Sequence, residues 1–571
     1  MLPPGAVDLM KVCFLFFTDP PKAFSSSVAA LSAAAKAAGH ETSSIEIHRK
    51  SRIEDAANQV AEIDVDVLAV STMTRDWPGA AALLTMVGER NRAYVVAGGY
   101  HASLAPQDVA ACERVDAICI GEGERPLVAL LERLQRGRPS ESLPGLWVRG
   151  RSGFSAPVPE ADSEPDITNL PLWDYDVFGD MRAILDSGVN TFGGLVDRYL
   201  PVRASRGCPF TCTYCSAPKW GKIGKFNEEG RRNTRPVAHL CDELAVLRDR
   251  FDPEGFEFWD EHFPLALEWL EELADVYPKR VGRPFKVEMH PNAANRERLE
   301  LLAKAGLSMF HCGVEAADEN MRRNLLNRRT RDSVLQRVFD DCRDLGIRTS
   351  ASVMTMLPGE TRDQMMSTVS LLRRLEPGWF VWSSYQALPG TALGEKAVLE
   401  WPEPATERFD DYRRIDSATP AKATLDDKDD VYRAFGEYQA DRVHASSQGS
   451  TATRTRHRPD HVAGTRKVPS LEFVTLLGLS PPDATLDSRT LRVNAVVAEH
   501  GSLVIEVEGA AVPPQELVIS AIEANVRYFT STKRLGFGYR GQSAPPILIQ
   551  TLTAMARRLA PYGFDELRHA V

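Results

Sequence analysis

Arg206-Gly-Cys-Pro-Phe-Thr-Cys-Thr-Tyr-Cys215 sets three cysteines, Cys208, Cys212 and Cys215, in a C-x3-C-x2-C spacing. Three thiolates this close in sequence converge on one face of a small inorganic cluster, and soft sulfur donors suit iron–sulfur centres. A cubane has four irons, so three protein ligands leave one iron open. The alternatives are a structural zinc site or reduced core cysteines. Zinc commonly takes four ligands in paired C-x2-C elements, and no fourth Cys or His lies nearby.

Working outward, residues 199–204 read as a strand that leads into this loop. Strands follow at 255–259, 285–290, 309–314, 349–354 and 379–385, with helices between them such as 239–250 and 265–277. Six βα units imply a partial barrel with its chemistry at the C-terminal rim, where the cysteine loop sits. Upstream, apolar strands at 11–17, 43–48, 66–71, 93–97 and 116–120 alternate with helices at 24–38 and from 72 to about 90. That pattern predicts a parallel, doubly wound, Rossmann-like sheet whose ligand lies beyond the C-terminal strand ends. Those ends carry Ser71-Thr-Met-Thr-Arg-Asp-Trp77, Gly98-Gly-Tyr-His-Ala-Ser103 and Gly121-Glu-Gly-Glu124. The glycines permit tight turns and close backbone approach, to a large ligand or simply within an ordinary Rossmann-like domain.

The cysteine loop, with Tyr214 before its last cysteine, resembles the cluster loop of the radical S-adenosylmethionine (SAM) enzymes. A doubly wound domain with Gly-Gly-x-His after strand four and Gly-Glu-Gly-Glu after strand five, then this loop, resembles their cobalamin-dependent, methyltransferase-like members. The likeness covers residues 8 to about 395. It implies a [4Fe–4S] cluster on Cys208, Cys212 and Cys215, with SAM chelated by its amino and carboxylate groups at the open iron. Gly313-Val-Glu-Ala316 resembles the family's Gly-(Ile/Val)-Glu-Ser element, which makes Glu315 a SAM contact, joined by Tyr214, Asp260 and Ser352. Asp260 and Glu261 also admit a plainer role in solvating a strand end. Cobalamin contacts are expected from Ser71, Thr74, Arg75, Trp77, Gly98, Gly99, His101, Gly121, Glu122 and Gly123. Arg75 and Trp77 are placed against the lower corrin face, and His101 against the corrin or its tail, or merely in a loop. The loop after strand one, Phe17-Thr-Asp-Pro-Pro-Lys-Ala23, lacks the family's alternative cobalt-ligating histidine, so cobalamin is expected without a histidine on cobalt. Met354-Thr-Met-Leu-Pro-Gly-Glu-Thr361 resembles the Gly-x-Pro-Gly-Glu-Thr turn, with Met356 in place of its first glycine. Glu360 and Thr361 read there as caps, and Leu388-Pro-Gly-Thr-Ala-Leu393 as an architectural turn.

Composition frames the rest. At 571 residues the chain exceeds one core, and we divide it as follows. Residues 8–137 form the cobalamin-binding domain, 138–198 a connector, 199–395 the radical SAM core and 396–444 a helical extension. Residues 445–467 are a polar linker, and 468–571 a small α+β domain. In that domain alternation marks strands near 491–497 and 503–507 with a turn at His500-Gly501, and helices are expected near 514–529 and 545–559. No apolar run approaches the ~18 residues that span a bilayer, and no secretory signal is evident. Of the nine cysteines, the six outside the loop lack paired spacing, which fits a reduced, cytoplasmic protein. A balance of 68 basic against 78 acidic residues, net −10, argues against a nucleic-acid partner.

The resemblance implies reductive SAM cleavage to a 5′-deoxyadenosyl radical, hydrogen abstraction from an unactivated carbon, and methyl delivery by cobalamin. An electron donor such as ferredoxin or flavodoxin is implied, and a small, secondary-metabolite or carrier-bound substrate. Two alternatives stand beside it: cyclisation or rearrangement without net methyl transfer, and a noncatalytic cobalamin or SAM binder.

Overall fold

The computed structural model describes residues 9–18, 24–48, 52–137, 143–151, 153–154, 167–186, 198–223, 234–400 and 423–448, together with five C-terminal strands. The first sheet contains β1 (Lys11–Thr18), β2 (Glu41–His48), β3 (Val67–Ser71), β4 (Tyr94–Gly98) and β5 (Ala117–Cys119), all parallel. Two short strands, β6 (Leu146–Gly150) and β7 (Gly153–Phe154), extend it antiparallel, giving the order β2-β1-β3-β4-β5-β6-β7. The sheet therefore runs past residue 137 into the stretch read as connector. Because β1 lies between β2 and β3, the strand order reverses there, and a crevice opens at the C-terminal ends.

The second sheet contains β8 (Tyr199–Val202), β9 (Gly255–Phe258), β10 (Phe285–Glu288), β11 (Leu307–Glu315), β12 (Arg348–Thr355) and β13 (Trp379–Ser384). They are parallel and in sequential order, the six-stranded half-barrel expected. Its outward residues Phe256, Phe258, Phe285, Phe310 and Phe380 join the core beneath the surrounding helices.

The Pro-Gly-Glu-Thr turn follows β12. Thr361 is the N-cap of the helix Arg362–Leu375, in a reciprocal capping box with Gln364. The Glu360 carboxylate accepts from Leu357 N at 2.9 Å, closing the turn. Met356 stands at φ +57°, which explains the glycine at this place in the resembled turn: a side chain there works against left-handed backbone.

In the helical extension read at 396–444, a helix spans Leu425–Gln448 and is not polar throughout. Val431, Phe435 and Tyr438 are buried in the barrel core. The C-terminal segment forms a sheet of β14 (Ala484–Leu486), β15 (Arg489–Ala498), β16 (Ser502–Gly509), β17 (Arg534–Tyr539) and β18 (Glu566–Ala570). The strands read near 491 and 503 pair antiparallel. The expected turn at 500–501, the helices near 514–529 and 545–559, the stretch 401–411, residues 19–23 of the loop after β1 and most of the linker lie outside the described residues. Among the described residues no helix is long and apolar enough to cross a membrane.

Candidate active site between the two sheets

The cysteine loop begins where β8 ends and is pinned by the end of β9. Asp260 accepts from Ala204 N (3.1 Å), Ser205 N (2.5 Å) and Ser205 Oγ (2.5 Å), and burial still lifts its carboxyl to about 7. Its oxygens thus serve the backbone ahead of the loop, an answer between the two read from sequence. Glu261 accepts from Gly207 N at 3.1 Å. Farther along, Thr213 bonds Leu325 O and Leu326 O, and its own carbonyl accepts from Leu393 N at 2.8 Å. The Leu388–Leu393 turn therefore docks onto the loop, as its architectural reading requires.

Burial raises the Cys208 thiol to about 11 and Cys215 to about 12, with the neighbouring Cys212 adding to both rises. Thiolates here call for a positive partner, which iron would provide. Among the described residues no three His, Cys, Asp or Glu side chains are gathered as ligands of a single ion. A cubane is ligated corner by corner, so its thiolates stand farther apart than ligands sharing one ion. The donor set fits a cluster better than zinc.

Beside the loop, β11 delivers Glu315 at φ +68°. Tyr214 Oη donates to its Oε1 at 2.7 Å, and Arg328 Nη1 stands 3.9 Å from the same oxygen. Burial raises the Glu315 carboxyl, with Arg328 and the Tyr214 bond opposing it. Arg328 also donates to Gly313 O at 2.6 Å and approaches Cys212 Sγ at 3.7 Å. Tyr214 and Glu315 are thus brought together as expected. Arg328 was missed, because nothing in Asn327-Arg-Arg-Thr330 marks which arginine turns inward. Ser352 faces the lumen and meets His311 Nε2 at 3.1 Å; burial lowers that imidazole to about 4, so it is neutral.

Two cavities join the halves. The first, about 120 Å³, is lined by Ser71, Gly98, Gly99, Gly121, Glu122 and Gly123 from the first sheet, and by Arg203, Arg206 and Trp220 from the barrel. The second, about 610 Å³, falls in the ligand-pocket range. It is lined by Thr74 and Arg75 on one side, and by Cys215, Asp260, Glu257, Lys286, Glu288 and His311 on the other. Tyr100, Arg203 and Glu261 line both. Strand ends of the first sheet, the cysteine loop and the barrel lumen therefore border two adjacent cavities with a common wall.

Trp77 and His101 are the exceptions. They stack on each other (centroids 5.6 Å apart, planes at 24°), buried on the other face of the first sheet, and line neither cavity. Burial keeps His101 neutral, with Asp108 at 3.9 Å opposing. The short helix Tyr100–Leu104 turns Tyr100 to the cavity and carries His101, about 100° around the axis, into the core. Gly99 starts that helix at φ +92°; a Cβ there would lie 2.8 Å from Thr72 O. The close approach served at Gly99 is to the Thr72 backbone just after β3.

A radical SAM superfamily model matches residues 202–372, and a B12-binding domain model matches residues 21–131. The chain is a radical SAM enzyme carrying a B12-binding domain, and its cofactors are a [4Fe–4S] cluster, SAM and cobalamin. The noncatalytic reading falls with that. Among curated relatives, an uncharacterized methyltransferase of Pyrococcus horikoshii is 23% identical over 351 residues, covering 60% of this chain and 72% of that one. The anaerobic magnesium-protoporphyrin IX monomethyl ester cyclase of Rubrivivax gelatinosus is 26% identical over 346 residues, covering 59% of each. The chain thus spans somewhat more than half the cyclase's length. The radical SAM methyltransferase TsrM of Kitasatospora setae, solved with tryptophan and a SAM analogue, shares the fold with TM-score 0.55. It is 18% identical, covering 68% of this chain and 76% of that one.

Proposed function

We propose that the chain transfers a methyl group to an unactivated carbon of a small, secondary-metabolite or carrier-bound substrate. The observation that carries this reading is the pair of adjacent cavities sharing Tyr100, Arg203 and Glu261, one at the first sheet's strand ends and one at the cysteine loop and barrel lumen. The methyltransferase among the relatives supports it. When bound, the cofactors supply a hydrogen-abstracting radical and a methyl group.

The protein's part is to hold, orient and exclude water. Cys208, Cys212 and Cys215 hold the cluster. Glu315, oriented by Tyr214 and Arg328, takes the amino or ribose hydroxyl groups of SAM. Asp260 acts one step back by fixing residues 204–205, and Ser352 orients His311 in the lumen. Ser71, Thr74, Arg75, Gly98, Gly99, Gly121 and Gly123 line the cobalamin side. A ferredoxin or flavodoxin in the cytoplasm supplies electrons, and nucleic acid takes no part.

Ring closure without net methyl transfer is the second reading, favoured by the cyclase among the relatives. Anaerobic turnover with mass spectrometry separates them. Methylation adds one methylene and yields 5′-deoxyadenosine together with S-adenosylhomocysteine, whereas cyclisation removes hydrogen and yields no S-adenosylhomocysteine. Absence of 5′-deoxyadenosine with every substrate would overturn both.

A further inference from the structure

Arg206 stands two residues ahead of Cys208, on the barrel side of the junction, and reaches across it. Its Nη1 pairs with Glu122 and its Nη2 donates to Glu124 Oε1 at 2.5 Å, so one guanidinium grips both carboxylates of the Gly-Glu-Gly-Glu turn. All three side chains are largely buried, at 7%, 16% and 7% exposed. The remaining Glu122 oxygen accepts from Trp220 Nε1 at 3.1 Å, on the helix that follows Cys215. Trp220 packs on Tyr100 (centroids 4.7 Å). Tyr100 Oη donates at 3.2 Å to Glu261, whose other oxygen takes the N–H of Gly207, beside Arg206.

The contacts close into a ring, and the ring holds the cysteine loop at both its entry and its exit. A salt bridge that merely glued two domains would have no reason to bracket the three cysteines. Each Glu122 oxygen takes one of these bonds and keeps a second lone pair on the cavity that the residue lines.

We propose that Arg206 is a positioning residue: with Glu122 and Glu124 it locks the cluster loop to the turn that borders the cobalamin cavity, so that cluster and cobalt keep one separation. Reacting centres on different domains need such a constraint, since a displacement of about 1 Å costs rate steeply. The planar fork suits the task because it fixes two directions at once, which an ammonium does not. The inference rests on the two-cofactor reading and not on methyl transfer.

Pulsed electron paramagnetic resonance on protein holding the reduced cluster and cobalt(II) cobalamin reads the distance distribution without turnover. The wild type is expected to give a narrow distribution. In Arg206→Lys and Glu124→Gln, with iron and corrin content retained, the distribution should widen roughly twofold as one anchoring direction is lost. Should Arg206→Lys lose its cluster, Glu124→Gln decides from the other domain. Cluster loss in Glu124→Gln, remote in sequence from the cysteines, would support the lock. Wild-type width in Glu124→Gln would overturn it, as would loss of cobalamin there with the cluster intact. Failure to find a methylated product leaves the distances readable, so the two proposals fail separately.

Discussion

The two parallel sheets use their faces in opposite ways. In the first, both faces are apolar: Val12, Phe14 and Phe16 pack under one layer of helices, and Cys13 and Leu15 under the other. In the half-barrel, Phe256, Phe258, Phe285 and Phe310 turn outward to the core, while Glu257, Lys286, Glu288 and His311 line the cavity within. A sheet covered by helices on both sides offers a ligand its strand ends and the gap beside them between sheet and helices, where Phe14, Ala69 and Val96 line the first cavity. A curled sheet offers an entire inner face, and here that face carries charge where barrels commonly carry packed Val, Ile and Leu. The first domain is therefore a holder, and the second is where chemistry is to be sought.

The cysteine loop on the curled sheet's rim gives the largest expected effect. Cys208, Cys212 or Cys215 changed singly to Ala should abolish the cluster and all SAM cleavage, whereas Cys241→Ala and Cys342→Ala should retain iron. Iron and sulfide analysis after anaerobic reconstitution checks this, and full cluster content in any triplet variant would break the assignment.

Next is the first sheet's interior. Phe14→Ala should cost about 3–5 kcal/mol by removing a fully buried ring from the sheet face beside the first cavity, read as a fall in denaturation midpoint. A loss under 1 kcal/mol would mean that this face is not packed as described. On the rim, Glu315→Ala should weaken SAM binding by about one to two decades, through loss of about 1–3 kcal/mol, and leave cobalamin affinity unchanged. Equilibrium binding reads both.

The lumen should respond differently from the first sheet. Burial lifts Glu288 to about 7, with Glu315 adding to the rise. Its favourable contribution is full below the unfolded-state value near 4.5 and is lost as pH rises through about 7. Glu288→Gln in cofactor-free protein should thus match the wild type at pH 4 and exceed it by about 3 kcal/mol at pH 8. Equal stability at both pH values would sink the claim that this carboxylate is poised in the cavity. The smallest effect is expected far from the lumen: Thr361→Ala should cost about 1 kcal/mol through its cap, without altering SAM affinity.

Much of this was readable from the chain. Apolar runs placed the parallel strands of the first sheet and of the half-barrel to within about two residues, and the cysteine spacing located the rim. The split between the sheets was also written there, in Gly255-Phe-Glu-Phe258 and Phe285-Lys-Val-Glu288, where charge alternates with aromatic or aliphatic residues at period two. That alternation marks the lumen face, and Glu257, Lys286, Glu288 and His311 went unassigned for want of using it. Arg206 was not readable, because its partners lie 82 and 84 residues upstream. The inward turn of His101 was hidden as well, since Gly99 backbone sets the phase of the helix that carries it.

One detail of the half-barrel bears on how the protein survives in a crowded solution. An uncurled end leaves β13 as a border strand, whose outer carbonyls are a template for strand addition by another chain. The helix Leu425–Gln448 sits against that border: Gln439 donates to Phe380 O at 3.2 Å, and Tyr438 Oη to Leu372 O at 3.0 Å. This helix thus acts as a guard against edge-to-edge aggregation, and a chain cut ahead of residue 425 would trade a sealed border for a sticky one.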